Sequence, residues 1–113
     1  MEVIYIIGPY RSSTTYGVKQ NIDKAELLAV ELWKLGYAII CPHKNSAFLE
    51  GVTKDETFLK GGIELLKRSD IAITTEGWEE SEGSLEEIKV CKQKHIPLYH
   101  SLDQLLNETS TIY

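Results

Sequence analysis

The alternation of apolar and polar positions divides the chain into short apolar runs and longer amphipathic stretches. Continuous apolar runs are typical of strands that are buried on both faces of a sheet. Apolar residues at three- and four-residue spacing, such as Ile22, Ala25 and Ala29, are typical of a helix with one buried face. The pattern predicts strands at 3–7, 37–41, 71–74 and 97–99, and helices at about 19–35, 55–68, 84–94 and 102–106. It also predicts a loop at 42–53, a helix cap at Gly36 and a weak helix centre at Gly61–Gly62.

Strands that alternate with helices predict βαβ units, which place parallel strands in one sheet between two layers of helices. The expected fold is therefore α/β: a small flavodoxin-like (Rossmann-like) three-layer sandwich. Its sheet should have four to five parallel strands in the order 2-1-3-4. No linker or internal repeat interrupts the pattern, so we expect one domain over residues 1–113. Ligands of such sheets bind at the carboxyl ends of the strands where the strand order reverses, here between the first and third strands.

The loop after the first predicted strand, GPYRSSTT from residue 8, has residue types that suit a small ligand. Gly8 permits close approach of the backbone, and Tyr10 can stack on a base. Arg11 and Ser13 can hold a phosphate or a sugar. A turn that only leads into the first helix explains the same residues. The loop lacks the GxGxxG pattern, so no dinucleotide cofactor is predicted.

The loop after the third predicted strand, EGWEESEGS from residue 76, leads into a helix that begins with two adjacent glutamates. Ser84 and Glu87 have the S-x-x-E spacing of a capping box, which is a purely structural role. The same placement in the first helical turn would favour an ionised Glu87, as nucleophilic attack on a sugar carbon requires. Gly83 and the free amides of this turn can receive an anion.

Helical geometry separates Glu87 from its neighbour Glu86. If Leu85, Ile88 and Cys91 face the core, Glu86 points to solvent and Glu87 lies at the edge of the apolar face. The other glutamates of this segment are expected to be solvated loop residues: Glu79, Glu80 and Glu82.

Aromatic and polar residues elsewhere have more than one interpretation. Trp78 is either a wall for a base or sugar or a lid packed on the domain, and Trp33 is predicted to lie in the core. His43 and Asn45 follow the second strand and are candidates for ligand contact. Asp70 precedes the third strand, where it can orient local backbone.

Charge and cysteine content narrow the range of partners. The formal net charge of −5 disfavours a long nucleic acid but is compatible with a single nucleoside or nucleotide. No apolar run approaches a membrane span in length. Cys41 and Cys91 are too far apart in sequence for a metal-binding motif, and the three histidines form no such motif either. We therefore expect a cytoplasmic protein with reduced thiols, no metal and no cofactor.

Several short segments, taken in their order and spacing, resemble one known family. These segments are IYIIGPYRS (4–12), Asn21-Ile22-x-x-Ala25, Cys41-Pro42-His43, LLKRSDIAI (65–73), and GW-x-x-S-x-G (77–83) with Glu87 four residues later. Together they resemble the nucleoside 2-deoxyribosyltransferase-like superfamily over roughly residues 3–97, especially its short bacterial and phage branch and its nucleotide N-glycosidase relatives.

The resemblance implies an activity. The glutamate at the position of Glu87 attacks the anomeric carbon of a nucleoside or nucleoside 5′-monophosphate, and the glycosyl ester then passes to another base or to water. Ser81 occupies a position that is Ser in relatives that hydrolyse monophosphates, and with Arg11 and Ser13 it favours a phosphorylated substrate. The acidic loop residues Glu79, Glu80 and Glu82 argue against a phosphorylated substrate, because they would repel phosphate. A homodimer or larger homo-oligomer is implied, because a neighbouring subunit often completes the site.

One departure from the family pattern leaves an alternative open. Relatives usually carry an acidic residue eight positions before the Asp that opens the third strand, where this chain has Gly62. The missing acid favours a non-catalytic module that binds a nucleotide in the same pocket. A third interpretation assigns the G-S-x-x-E segment to other nucleotide-binding Rossmann-like proteins.

Overall fold

The computed structural model of the protein describes residues 1–110, and a sheet of four parallel strands forms its centre. The strands are β1 (Val3–Ile7), β2 (Ala38–Ile40), β3 (Ile71–Thr74) and β4 (Leu98–Tyr99), in the order β2-β1-β3-β4. In the central pair Tyr5 lies beside Ala72 and Ile7 beside Thr74. The α/β class and the flavodoxin-like order 2-1-3-4 are thus confirmed. The last part of the predicted domain, residues 111–113, lies outside the described part of the chain.

Five helices and one short 3-10 turn connect the strands in residues 1–110. They are α1 (Thr15–Lys34), α2 (Pro42–Asn45), α3 (Asp55–Lys67), the 3-10 turn (Trp78–Glu80), α4 (Glu82–Lys94) and α5 (Leu102–Leu106). None of these helices is long and apolar enough to cross a membrane.

α1 and α4 begin earlier than predicted, at the side-chain caps Thr14 and Ser81. α1 begins four residues early, since the Thr14 hydroxyl accepts a hydrogen bond from the Gly17 amide at 2.9 Å. Part of the segment predicted to be a loop, 42–53, instead forms the short helix α2. Its first residue is Pro42, and proline favours the first position of a helix. Gly36 follows α1 with a φ of 93° and ends it as predicted.

Helices cover both faces of the sheet, so the fold has three layers. Ile4 and Ile6 of β1 pack with α1 and α5, whereas Tyr5 and Ile7 pack against Leu66 of α3 and Cys91 of α4. The β1–β3 pair, where the strand order reverses, lies at the centre of both cores. Asp70 was expected to orient local backbone before β3, but its carboxylate orients the start of β1, where it accepts a hydrogen bond from the Val3 amide at 2.7 Å.

Two predictions about the core are wrong. Trp33 is 55% exposed, because the buried stripe of α1 runs through Ala25, Ala29 and Leu32 and leaves Trp33 on the flank. Leu85 is 40% exposed, while the serine before it is buried. At the start of α4, Ser84 thus takes the inward position predicted for Leu85, whereas Ile88 and Cys91 pack against the core as predicted.

Candidate functional site

Tyr5 is the polar residue of the buried strand β1, and its hydroxyl reaches the layer of α3 and α4. The side chain is 1% exposed, and a buried phenol requires a hydrogen-bond partner. That partner is Glu87 of α4, whose Oε2 accepts the hydrogen bond from the Tyr5 hydroxyl. Sequence reasoning missed Tyr5. The sequence did contain a signal, a single tyrosine within the apolar run VIYII. If that run is buried, the tyrosine hydroxyl needs a hydrogen-bond partner from another helix or strand.

Glu87 lies one turn further along α4 than the S-x-x-E pattern indicated. Ser81 is the N-cap, and its Oγ accepts a hydrogen bond from the Ser84 amide at 3.2 Å. The predicted capping box of Ser84 and Glu87 is therefore wrong, because α4 begins at Glu82 and Glu87 falls in its second turn. This placement frees the Glu87 carboxyl from capping and directs it to Tyr5.

Burial dominates the electrostatics of this pair. It raises the pKa of Glu87 to about 7, and the hydrogen bond from Tyr5 offsets only part of that effect. The prediction from the helix dipole had the opposite sign, because it assumed an exposed first turn. Burial and the neighbouring Glu87 also raise the pKa of Tyr5 well above its usual range, so Tyr5 donates a hydrogen bond and retains its proton.

Gly62 of α3 faces the Tyr5–Glu87 pair. A Cβ atom at this position would lie 3.1 Å from the Tyr5 hydroxyl oxygen and 4.0 Å from Glu87 Oε2. The preceding Gly61 has no atom within 4 Å of the corresponding point. Position 62 is therefore a contact position of the pair, occupied by backbone alone.

Ser84 lies three residues before Glu87 on the same side of α4. It is 1% exposed, and within the described residues its hydroxyl has no hydrogen-bond partner. A buried hydroxyl without a partner is uncommon and costs roughly 1–3 kcal/mol. A Cβ on the adjacent Gly83 would meet open space. Within the described residues, the start of α4 thus has a buried hydroxyl without a partner, next to a glycine whose Cβ position is open.

The loop after β1 is shaped by contacts within the protein. A Cβ on Gly8 would lie 1.8 Å from Thr75 Oγ1, so the glycine makes room for the Thr75 side chain. His43 Nε2 lies 3.1 Å from the carbonyl oxygens of both Gly8 and Pro9. Burial lowers the pKa of His43 and keeps the ring neutral, so Nε2 carries the proton and donates. His43 supports the loop from inside.

Tyr10 and Arg11 connect this loop to the segment before α3. The Tyr10 hydroxyl donates to Glu50 Oε1 at 2.7 Å and accepts from the Phe48 amide at 3.0 Å. The Arg11 guanidinium forms an exposed ion pair with Asp55 Oδ2 at 2.9 Å. The side-chain polar groups of Tyr10 and Arg11 therefore have protein partners.

Trp78 packs on the domain, as one of its two predicted interpretations stated. Its ring stacks on His100 with centroids 4.6 Å apart and planes inclined by 17°. His100 Nδ1 lies 2.9 Å from Thr74 Oγ1, at the end of β3. One face of Trp78 is therefore occupied.

Two open clefts lie away from Glu87. Ser13 lines one of about 350 Å³, together with Ser12, Phe48 and Glu50. Asn45 lines another of about 280 Å³ against α1, next to the exposed Trp33. Glu87 is not among the residues that line these two clefts.

Comparison with known proteins assigns the chain to a family. A family model described as "Domain of unknown function (DUF7768)" matches residues 2–101. The chain belongs to the DUF7768 family. The matched range includes every candidate site residue discussed above. A search of curated proteins finds no match to the chain.

In this DUF7768 domain the candidate residues form two groups. In the first group, the Tyr5 hydroxyl and Gly62 face the carboxyl of Glu87, whereas Ser81, Gly83 and Ser84 lie at the start of the same helix. The second group comprises Gly8, Tyr10, Arg11 and His43 around the loop after β1, with Ser13 on its outer side. The first group has the chemical character of a reaction centre, because it holds a half-buried acid with a fixed donor.

Proposed function

We propose that the protein cleaves or transfers the N-glycosidic bond of a small (deoxy)nucleoside or nucleoside 5′-monophosphate through a covalent glycosyl intermediate on Glu87. The observation that carries this proposal is the half-buried Glu87 carboxyl. It accepts a hydrogen bond from the hydroxyl of Tyr5, which lies on β1, one of the two strands between which the strand order reverses. A carboxyl in such a setting is suited to attack a developing oxocarbenium centre. The resemblance to nucleoside 2-deoxyribosyltransferase-like proteins supports the same chemistry.

The two carboxyl oxygens of Glu87 have different roles in this proposal. Oε2 accepts the hydrogen bond from Tyr5, which fixes the rotamer and leaves Oε1 for the anomeric carbon. Attack requires the ionised form. Because the pKa of Glu87 is about 7, that form grows from a minority to a majority across neutral pH. In this proposal the Ser84 hydroxyl, which has no hydrogen-bond partner within the described residues, receives a sugar hydroxyl.

The loops supply the binding contacts in this proposal. Tyr10 and Trp78 frame the base from the loops after β1 and β3, and Arg11, Ser13 and Ser81 meet the sugar or phosphate. Arg11 exchanges Asp55 for the ligand, which costs little because the ion pair is exposed. We also propose a cytoplasmic homo-oligomer in which a second subunit completes the site.

A second candidate function is a module that binds the same ligand without cleaving it. The observation that favours it is Gly62, which brings no acidic side chain to the Tyr5–Glu87 pair. A leaving base then lacks a proton donor from α3, and general acid help is worth about 10²–10⁴-fold in rate.

A panel of nucleosides and their 5′-monophosphates, assayed for free base, separates the two candidates. Base release that is lost in both Glu87→Ala and Glu87→Gln supports the enzyme, with Glu86→Gln as the matched control because Glu86 is exposed on the same helix. Tight binding without release, unchanged in Glu87→Gln, supports the module. Release that survives Glu87→Ala excludes Glu87 as the nucleophile.

A further inference from the structure

The three loops at the carboxyl edge of the sheet carry most of the net charge of the molecule. Residues 8–14, 46–55 and 75–82 contain six carboxylates and two cations, against a net charge of −5 for the whole chain. All eight side chains are exposed: Glu50, Asp55, Glu76, Glu79, Glu80, Glu82, Arg11 and Lys54. These loops, one of which leads into the helix that carries Glu87, therefore have a net negative charge, and we refer to the six carboxylates as the acidic rim.

The cations near the rim do not reverse its sign. Arg11 is paired with Asp55. The hydrogen bond from Tyr10 lowers the pKa of Glu50, and the charges of Asp55 and Arg11 shift that pKa in opposite directions. Lys24 of α1 lies 4.0 Å from Glu76. Negative potential of this kind concentrates cations and repels phosphate. Aromatic rings attract cations as well, and Tyr10 and Trp78 lie on the same loops.

Position 62 of α3 brings no proton donor to the Glu87 carboxyl. The Tyr5 hydroxyl donates a hydrogen bond to this carboxyl, and Gly62 faces the pair with its backbone alone. Tyr5 holds its proton more tightly than a free tyrosine, and Gly62 has no side chain. A neutral nucleoside therefore loses its base without a proton from either of these residues. A base that already carries a positive charge leaves as a neutral molecule and needs no proton.

We infer that the preferred substrate is a nucleoside whose base carries a permanent positive charge, of the N-glycosyl pyridinium or 7-alkylpurine class. This inference rests on the proposed function and specifies the substrate of the same site. The Glu87 carboxylate forms the bond to C1′, and the electron pair of the C1′–N bond moves onto the ring nitrogen and cancels its charge. Water then cleaves the ester, which releases the free sugar and returns a carboxyl group to Glu87.

The test compares nucleosides that differ by one methyl group and the charge it creates: guanosine and 7-methylguanosine, each also as the 2′-deoxynucleoside. Base release by the full chain is measured by chromatography at neutral pH. Each rate is divided by the rate without protein, because the cationic nucleosides are intrinsically more labile. We expect a rate enhancement at least about tenfold larger for the 7-methylated member of each pair. Guanosine 5′-monophosphate is the anionic comparison and should be the poorest substrate.

The possible failures are distinguishable. An equal or larger enhancement for guanosine, or for its monophosphate, overturns the inference and leaves the proposed function intact. Absence of Glu87-dependent release from all the nucleosides overturns the proposed function and the inference together.

A charge-matched pair of variants tests the role of the acidic rim. The rim triple variant is Glu79→Gln, Glu80→Gln and Glu82→Gln, and the control triple is Glu2→Gln, Glu31→Gln and Glu64→Gln. The control changes the net charge equally but at the amino edge of the sheet, where α1 and α3 end and β1 begins. We expect the rim triple to raise KM for 7-methylguanosine about 3–10-fold at low salt, with little change for guanosine. Equal effects of the two triples would overturn the electrostatic account.

Discussion

At the scale of single residues, the protein is distinguished by one carboxyl group placed where a carboxyl is costly. Most of its acidic side chains lie on the surface, whereas Glu87 faces the buried Tyr5 and has a pKa of about 7. A carboxyl group whose ionised form is destabilised by burial is found mainly at functional sites. Ionisation of the half-buried Glu87 near neutral pH therefore lowers the stability of the folded protein.

The first prediction concerns the pH dependence of stability. The pKa of Glu87 is raised from its ordinary value of 4.5 to about 7 in the folded state, so the folded protein binds the proton more tightly than the unfolded chain. The stabilisation is complete below 4.5 and is lost as pH rises through 7. Relative to Glu87→Gln, the wild type should lose about 3 kcal/mol of unfolding free energy over this window. Urea unfolding of both proteins across the range measures the difference, and parallel curves would refute it.

The second prediction concerns Tyr5. Its hydrogen bond to Glu87 lowers the carboxyl pKa, so Tyr5→Phe should raise that pKa further. The acid limb of the kcat/KM profile then moves to higher pH, and activity falls most below neutrality. Tyr16→Phe is the control, because Tyr16 is 66% exposed on α1. An acid limb at the same pH in Tyr5→Phe and wild type would show that Tyr5 does not tune the carboxyl.

At the scale of elements, α3 and α4 determine what surrounds that carboxyl. α3 runs without interruption through Gly61 and Gly62, although both residues have low helix propensity. The packing of α3 on α4 brings position 62 against the pair, and the absence of a Cβ there leaves the Tyr5 hydroxyl in place. Close packing therefore explains why position 62 is a glycine, whereas it does not explain the glycine at position 61.

The third prediction uses these adjacent glycines. Gly61→Ala should stabilise the protein by about 0.5–1 kcal/mol, because its Cβ meets open space and the helix gains propensity. Gly62→Ala should lack that gain and should lower activity, because its Cβ would lie 3.1 Å from the Tyr5 hydroxyl and push it from Glu87. Thermal unfolding and base release measure both effects. Equal behaviour of the two variants would contradict the assigned contact.

The elements also show where local sequence patterns fail. Ser81 and Ser84 both have the chemistry of an N-cap, and the S-x-x-E rule selects Ser84. Tertiary contacts select Ser81, because Ser84 is buried and the helix begins earlier. Burial gives the Glu87 pKa the opposite sign to the one expected, and the early helix start also places Glu87 beyond the first turn, where the dipole argument holds.

At the scale of the whole molecule, the fold was predictable because apolar runs and amphipathic stretches alternate along the entire chain. The βαβ handedness rule then leaves few strand orders for so short a protein. The site was only partly predictable. Glu87 was identified from its helix position, but Tyr5 lies 82 residues away in sequence and no local pattern joins the two. The partners of Tyr10, Arg11 and Trp78 are likewise set by loops that pack together only in the folded chain.

The fourth prediction concerns assembly. If a neighbouring subunit completes the site, the protein in solution should have at least twice the 12.8 kDa mass of one chain. Exposed apolar residues near the acidic rim, such as Phe48 and Val52, are available to such an interface. Light scattering with size-exclusion chromatography measures the mass over a dilution series. A monomer that is fully active would contradict the proposed completion of the site.

The most direct test of the central proposal is to trap the glycosyl group on the protein. The protein is incubated with cleavable nucleosides, quenched in acid, digested and examined by mass spectrometry. We predict a mass increase equal to one glycosyl residue on the peptide that contains Glu87, absent in Glu87→Gln and present in Glu86→Gln. Base release in parallel without any adduct on that peptide, or an adduct on a different residue, would contradict the assignment of Glu87 as the nucleophile.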